Sequence, residues 1–234
     1  MNNNLQESKW SERLRVGEPC SAMNVILVDA DYVDKVAFNL IVNFERMIGR
    51  RIPQADLAKW IDCVALDGGI RERPRVGEQG SGMGAHETLV VLIHQKDKTK
   101  LENFTPSDYA KDLDGKAFKD HLGEFSIEAY PIEDIAGGEN YFTDALQLIA
   151  TQKEVKRVMV IPNAEDPYIY NKVCQTLNRI DEERLQAGES GGTEKRITVF
   201  AMQPMAGGNF RHEILGYSLM AALGIKADEI NSKS

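Results

Sequence analysis

Apolar positions along the chain come either in short unbroken runs or at helical spacing. Asn24–Val28 is a compact β-rich run, the pattern of a strand buried on both faces. From Tyr32 to Ile48, Val33, Val36, Ala37, Leu40, Ile41, Phe44 and Ile48 recur at helical steps. This predicts a helix, with Gly49 as its terminator. Pro53 followed by Asp56–Asp62 predicts a short second helix, and Val64–Ile70 reads as a short strand or turn. Thr88–His94, Ser126–Ile132, Lys156–Ile161 and Arg196–Ala201 read as four further strands. Helices are expected over Tyr141–Thr151, Pro167–Glu183 and Phe210–Leu223, the last capped by Asn209, with a weak one near Lys116–Leu122.

This alternation implies an α/β protein of three layers: a mainly parallel sheet of about five strands, flanked by helices on both faces. Residues 1–22 are polar and charged and read as a flexible N-terminal extension; residues 23–230 read as a single domain. The extension lacks the apolar core of a signal peptide, and no apolar run approaches the length of a membrane span. Cys20, Cys63 and Cys174 are odd in number and far apart, which suits neither a disulfide framework nor structural zinc. A cytoplasmic location is therefore expected. The net charge of −8 disfavours broad adhesion to nucleic acid or anionic membrane.

Candidate chemistry lies in the acids. Asp29 and Asp31 directly follow the first strand, Glu165 and Asp166 follow the fourth, and Asp144 is expected in the first turn of the helix between. Strand ends of a parallel sheet meet on one edge, where ligand sites form. Clustered carboxylates favour a hard divalent cation such as Mg²⁺ or Mn²⁺. Each acid also has a plainer reading as a helix cap, Asp166 before Pro167 above all, and the two readings coexist. Gly80, Gly82 and Gly84 precede a strand, so they form a surface loop rather than a dinucleotide fingerprint. Arg71, Arg73 and Arg75 of the same loop are candidates to neutralise substrate phosphates. The histidines are scattered, and His94 reads as a partly buried structural residue.

Val-Ile-Leu-Val-Asp29-Ala-Asp31, Tyr141-Phe-Thr-Asp144-Ala-Leu, Val158-Met-Val-Ile-Pro162-Asn-Ala-Glu-Asp166 and Ile197-Thr-Val-Phe200 follow in an order that resembles the NYN/PIN-like ribonuclease superfamily. The resemblance implies a PIN-like or Rossmann-like sheet and metal-dependent hydrolysis of phosphodiesters in RNA. It implies Asp29, Asp166 and Asp144 as metal ligands, with Asp31 or Glu165 orienting metal-bound water. Arg71, Arg73 or lysines of the 95–100 loop would hold phosphates. The chain departs from the family pattern at Tyr32, where Asn is usual, and at Ala164, where an acid is usual. The segments 71–86 and 95–124 are also atypical. These departures leave two further readings open: a non-catalytic PIN-like binding or scaffold protein, homodimeric through its last helix, and a Rossmann-like small-ligand binder.

Overall fold

The structure, a computed structural model, describes residues 23–71, 87–132, 138–186, 195–205 and 208–231. The N-terminal extension, Arg73, Arg75 and the glycines of the 77–84 loop lie outside the described residues. Strand β1 (Met23–Asp29) leads into α1 (Ala30–Ile48). A two-residue strand β2 (Ala55–Asp56) precedes α2 (Leu57–Asp67), and β3 (Glu87–Gln95) follows. The next segment carries β4 (Phe104–Thr105), a single π-helical turn (Tyr109–Leu113) and β5 (Lys116–Lys119), then enters β6 (Glu124–Ile132). The chain continues through α3 (Gly138–Thr151), β7 (Val155–Ile161), α4 (Pro167–Gln186) and β8 (Arg196–Ala201). It ends with β9 (Arg211–Ile214), α5 (Leu215–Ala222) and α6 (Ala227–Asn231).

Seven strands form one sheet in the order β5-β6-β3-β1-β7-β8-β9. All neighbours are parallel except β5, which runs antiparallel to β6. Numbered by themselves along the chain, the six parallel strands lie in the order 3-2-1-4-5-6. Both faces are covered. On one, α1, α2 and α5 pack over Ile26, Val28, Val90, Leu92, Met159, Ile161 and Phe200. On the other, α3 and α4 pack over Val25, Leu27, Val91, Val158, Val160 and Val199. Alternate residues of each central strand enter opposite cores, which is why these strands read as unbroken apolar runs.

The sheet has two strands more than the five expected. Lys116–Lys119 is a strand rather than a weak helix: Gly115 (φ 70) and Gly123 (φ 140) flank β5 and its turn, and the hairpin with β6 stacks Phe118 on Phe125 at 4.9 Å. Arg211–Ile214 is also a strand, not the opening of the last helix. Arg211 and Glu213 alternate with His212 and Ile214, and the free edge of β8 supplies the partner ladder. Helix α2 continues through Asp67, so Val64–Ile70 is neither strand nor turn until Gly68. Helix α5 buries Leu215, Gly216, Ser218, Leu219 and Ala222 within the protein, leaving Tyr217 as its exposed aromatic at 71 %. Among the described residues no helix is long and apolar enough to cross a membrane.

Gly68 seats the end of α2 on β7. A Cβ there would lie 2.2 Å from Sδ and 2.4 Å from Cγ of Met159, itself fully buried. Gly68→Ala overpacks this contact and should cost about 1–3 kcal/mol, lowering Tm by roughly 3–10 °C. An unchanged melting curve would mean that α2 does not rest on Met159.

Candidate functional site

Strands β1 and β7 are adjacent, yet the chain leaves them on opposite faces: β1 into α1 and β7 into α4. A crevice outside the carboxyl ends of two such strands is the place where open α/β sheets bind ligands. Asp29, Asp31, Glu165 and Asp166 all belong to the segments that leave these two ends.

Asp29 ends β1 in extended conformation (φ −76, ψ 96) and caps α1, its Oδ1 accepting from Tyr32 N at 3.0 Å. Burial pushes its carboxyl up to about 6, and nearby Asp31 adds to the rise. The Tyr32 amide and Lys98 oppose it without cancelling it. Asp31 has both oxygens engaged: Oδ2 accepts from Gln95 N at 2.7 Å, and Oδ1 lies 3.0 Å from Lys98 Nζ. Asp34, one turn along α1, accepts from Asn103 N at 2.8 Å, and its main-chain carbonyl accepts from Asn103 Nδ2 at 3.1 Å. Glu165 forms a long ion pair with Lys35, 3.6 Å, between two exposed side chains; such a pair holds little energy. Asp166 is turned to α4, its Oδ1 accepting from Tyr168 N at 2.9 Å.

Asp144 sits in the second turn of α3, not the first, and is exposed. No hydrogen bond or ion pair among the described residues joins it to the acids at β1. Arg71 is not at this edge at all. Its guanidinium donates to Leu66 O and Ile70 O at the end of α2 and neighbours Arg157 at the start of β7.

Three polar groups that the acid pattern does not reveal line the same region. The hydroxyls of Tyr32 and Tyr109 are buried without a hydrogen-bond partner, as is Asn163 Oδ1 in the turn after β7. Burial pushes the Tyr32 hydroxyl up beyond its usual range, with Glu165 and Asp29 adding to the effect. Burial does the same to Tyr109, followed by Asp31, Asp34 and Asp29. Both hydroxyls therefore lie within electrostatic reach of the acidic end of β1. Tyr109 is held by His94, whose ring stacks on it at 3.7 Å and 6°. His94 is 5 % exposed and donates from Nδ1 to Gln95 O at 2.9 Å, the structural role expected for it. Nothing in the sequence ties Tyr109 to His94; the segment between β3 and β5 folds back to make that contact. Tyr32 was visible only as an unusual neighbour of acids, and Asn163 only as part of the motif in which Ala164 stood out.

A second acidic grouping lies elsewhere. Among the described residues, Asp62, Asp120 and His121 place three ligand-type atoms within 4.8 Å of one another; the acids at β1 and β7 form no such grouping. Asp62 is on α2, and Asp120 is in the turn before β6, at the opposite edge of the sheet from Asp29. Asp120 accepts from Leu122 N at 2.7 Å and Gly123 N at 3.3 Å. Burial, then a hydrogen bond shared with Asp120, pushes the Asp62 carboxyl up to about 7. Two carboxyls this close favour the state in which one of them is protonated. A raised folded-state pKa stabilises below the ordinary carboxyl range, and that stability is lost as pH rises through about 7. Asp62→Asn keeps a donor toward Asp120. It should raise Tm by about 2–4 °C at pH 8.5 and by less than about 1 °C at pH 5, read from melting curves at the two pH values.

No curated protein and no solved structure matches the chain. Over residues 20–230 it matches a family defined by sequence, and by that match the protein belongs to the family of unknown function DUF6621.

Proposed function

We propose that the crevice between the ends of β1 and β7 binds a small polar ligand rich in hydrogen-bond donors, on a domain of Rossmann-like or PIN-like topology. The strand order 3-2-1-4-5-6 supports that topology, being the order of doubly wound nucleotide-binding sheets. One observation carries the ligand reading. Two tyrosine hydroxyls within electrostatic reach of Asp29, and an asparagine oxygen in the turn after the neighbouring strand β7, are buried without protein partners. Buried polar atoms are normally paired, and leaving them unpaired is costly. A ligand bearing hydroxyl or amino groups satisfies Asn163 Oδ1 and the tyrosine oxygens together. Asp29, titrating near neutrality, then accepts a further hydrogen bond or a proton.

A second reading is Mg²⁺- or Mn²⁺-dependent cleavage of RNA, as the NYN/PIN resemblance implies. It is favoured by the mutual repulsion of Asp29 and Asp31. The acids do not fit a three-carboxylate centre as they stand. Asp31 is engaged by Gln95 and Lys98, Asp166 by Tyr168, and Asp144 lies on the exposed side of α3.

Tyr109→Phe and Tyr32→Phe remove the unpaired hydroxyls and should each stabilise the ligand-free protein by about 1 kcal/mol. A loss of that size would show that the hydroxyls have structural partners. Asp29→Asn retains the helix cap. Because the folded-state pKa of Asp29 is raised, its ionised form weakens the fold as pH climbs through about 6. The variant should gain about 1–2 kcal/mol at pH 8, allowing for partial solvent exposure, and nothing at pH 4. Melting curves with millimolar MgCl₂ or MnCl₂ separate the two readings. A rise of several degrees that Asp29→Asn abolishes favours the metal-dependent enzyme; no rise favours the small-ligand site.

A further inference from the structure

Four arginines gather at the amino-terminal edge of the sheet. Arg157 on β7 and Arg196 on β8 are register partners, and Arg211 on β9 pairs with Thr198, two residues beyond Arg196. Side chains alternate along a strand, so all three lie on the face of Met159 and Phe200, which α2 and α5 cover. Arg71 joins them from four residues beyond α2. Burial, then Arg196 and Arg71, holds the Arg157 guanidinium below its usual range. A Cβ on Gly69 would sit 3.9 Å from both Arg157 Nη1 and Arg211 Nη1, so these nitrogens lie within twice that distance of each other. Gly69 has φ +89, a conformation that favours glycine and keeps the gap clear of a side chain.

Among the described residues, protein groups do not use up this positive charge. Arg211 pairs with Glu213 at 2.8 Å, and Asp67 lies near Glu213 and Arg71, so two acids face four cations. Three carbonyls at the end of α2 are taken. Val64 O accepts from Gly68 N, Ala65 O from Ile70 N, and Leu66 O from Gly69 N and Arg71. Arg71 Nη1 also donates to Ile70 O at 2.8 Å. Arg157 Nη1 is left buried with no hydrogen-bond acceptor. A desolvated guanidinium N–H without an acceptor is unfavourable, and an anion removes that cost.

We propose that this cluster is a binding site for a dianionic phosphate group, free or carried as a monoester on a small molecule. Arg157 donates from beside Gly69, Arg196 and Arg211 from the neighbouring strands, and Arg71 from beyond α2. Forked, planar guanidinium groups match tetrahedral oxyanions in paired hydrogen bonds. The site is independent of the crevice. Arg157 pairs with Asn24, five residues before Asp29, a separation of about 16 Å along the strand.

The test uses the full chain at pH 7.5, with inorganic phosphate and phenyl phosphate as probes against sodium chloride of equal ionic strength. Calorimetric titration and melting curves should show phosphate-specific binding and stabilisation in the wild type. Affinity should fall at least tenfold in Arg157→Met and in Arg196→Gln. Arg196 is exposed, so its variant keeps the test valid should Arg157→Met fail to fold. Arg179→Gln, on α4 and bonded to Gln147, should bind like the wild type. Tighter binding of phenyl phosphate identifies a monoester ligand; tighter binding of inorganic phosphate identifies the free ion. Equal effects of phosphate and chloride, or wild-type affinity in both arginine variants, would overturn the proposal.

Discussion

Strand β1 stands at the middle of a sheet covered on both faces, and its desolvation governs the polar chemistry of the carboxyl edge. Val25, Ile26, Leu27 and Val28 are all at most 1 % exposed, so the first position where the strand can present a charge is its end. Asp29 occupies that end. The N-terminus of α1 favours an ionised carboxylate there, through the Tyr32 amide and the helix dipole. Desolvation opposes ionisation and is the larger effect, since the carboxyl is pushed up to about 6. The same burial that makes β1 a good strand thus makes Asp29 an unusual acid.

The segment between β3 and β6 decides how the other acids are used. It turns back over the start of α1, bringing Gln95 N and Lys98 to Asp31 and Asn103 to Asp34. Main-chain amides that would otherwise be left without acceptors are satisfied by helix carboxylates. Those carboxylates are thereby committed to structure. Asp29 takes its hydrogen bonds from main-chain amides of its own helix start, and the covering segment reaches it only through the charge of Lys98, while the hydroxyls of Tyr32 and Tyr109 lie within its electrostatic reach unpaired. The segment that looked atypical in the sequence covers the start of α1 beside the end of β1.

The doubly buried strands were legible because a run such as Leu89–Ile93 has no polar face to confuse its reading. Strands β5 and β9 were not, since four residues with charges alternate too briefly to outweigh a neighbouring helical pattern. That the acids near Asp29 and Asp166 stand at adjacent strand ends followed from chain order alone. Their hydrogen bonds did not, because each depends on a main-chain amide brought in by tertiary folding, as Gln95 N is to Asp31. Arg71 was misplaced for a local reason. One more turn of α2, through Val64–Asp67, carries it to the amino edge, where Arg157 and Arg211 begin their strands.

Acids gather at the end of β1 and arginines at the start of β7–β9, while Asp62 and Asp120 form a separate acidic grouping at the amino edge. Acids from α1 and the turn after β7 collect at the carboxyl edge, while Arg71, Arg157, Arg196 and Arg211 collect at the amino edge of β7–β9. The overall charge of −8 conceals this distribution. An anionic phosphate approaching the carboxyl edge meets Asp29, Asp31, Asp34 and Glu165, which Lys98 and Lys35 offset in part, so an added cation favours it there. At the amino edge it meets guanidinium groups, one of which, Arg157 Nη1, lacks an acceptor. A neutral ligand carrying hydroxyl or amino groups has the opposite preference, because Asn163 Oδ1 and Asp29 offer acceptors while the arginines offer none. The two edges of one sheet are therefore suited to different ligand chemistries.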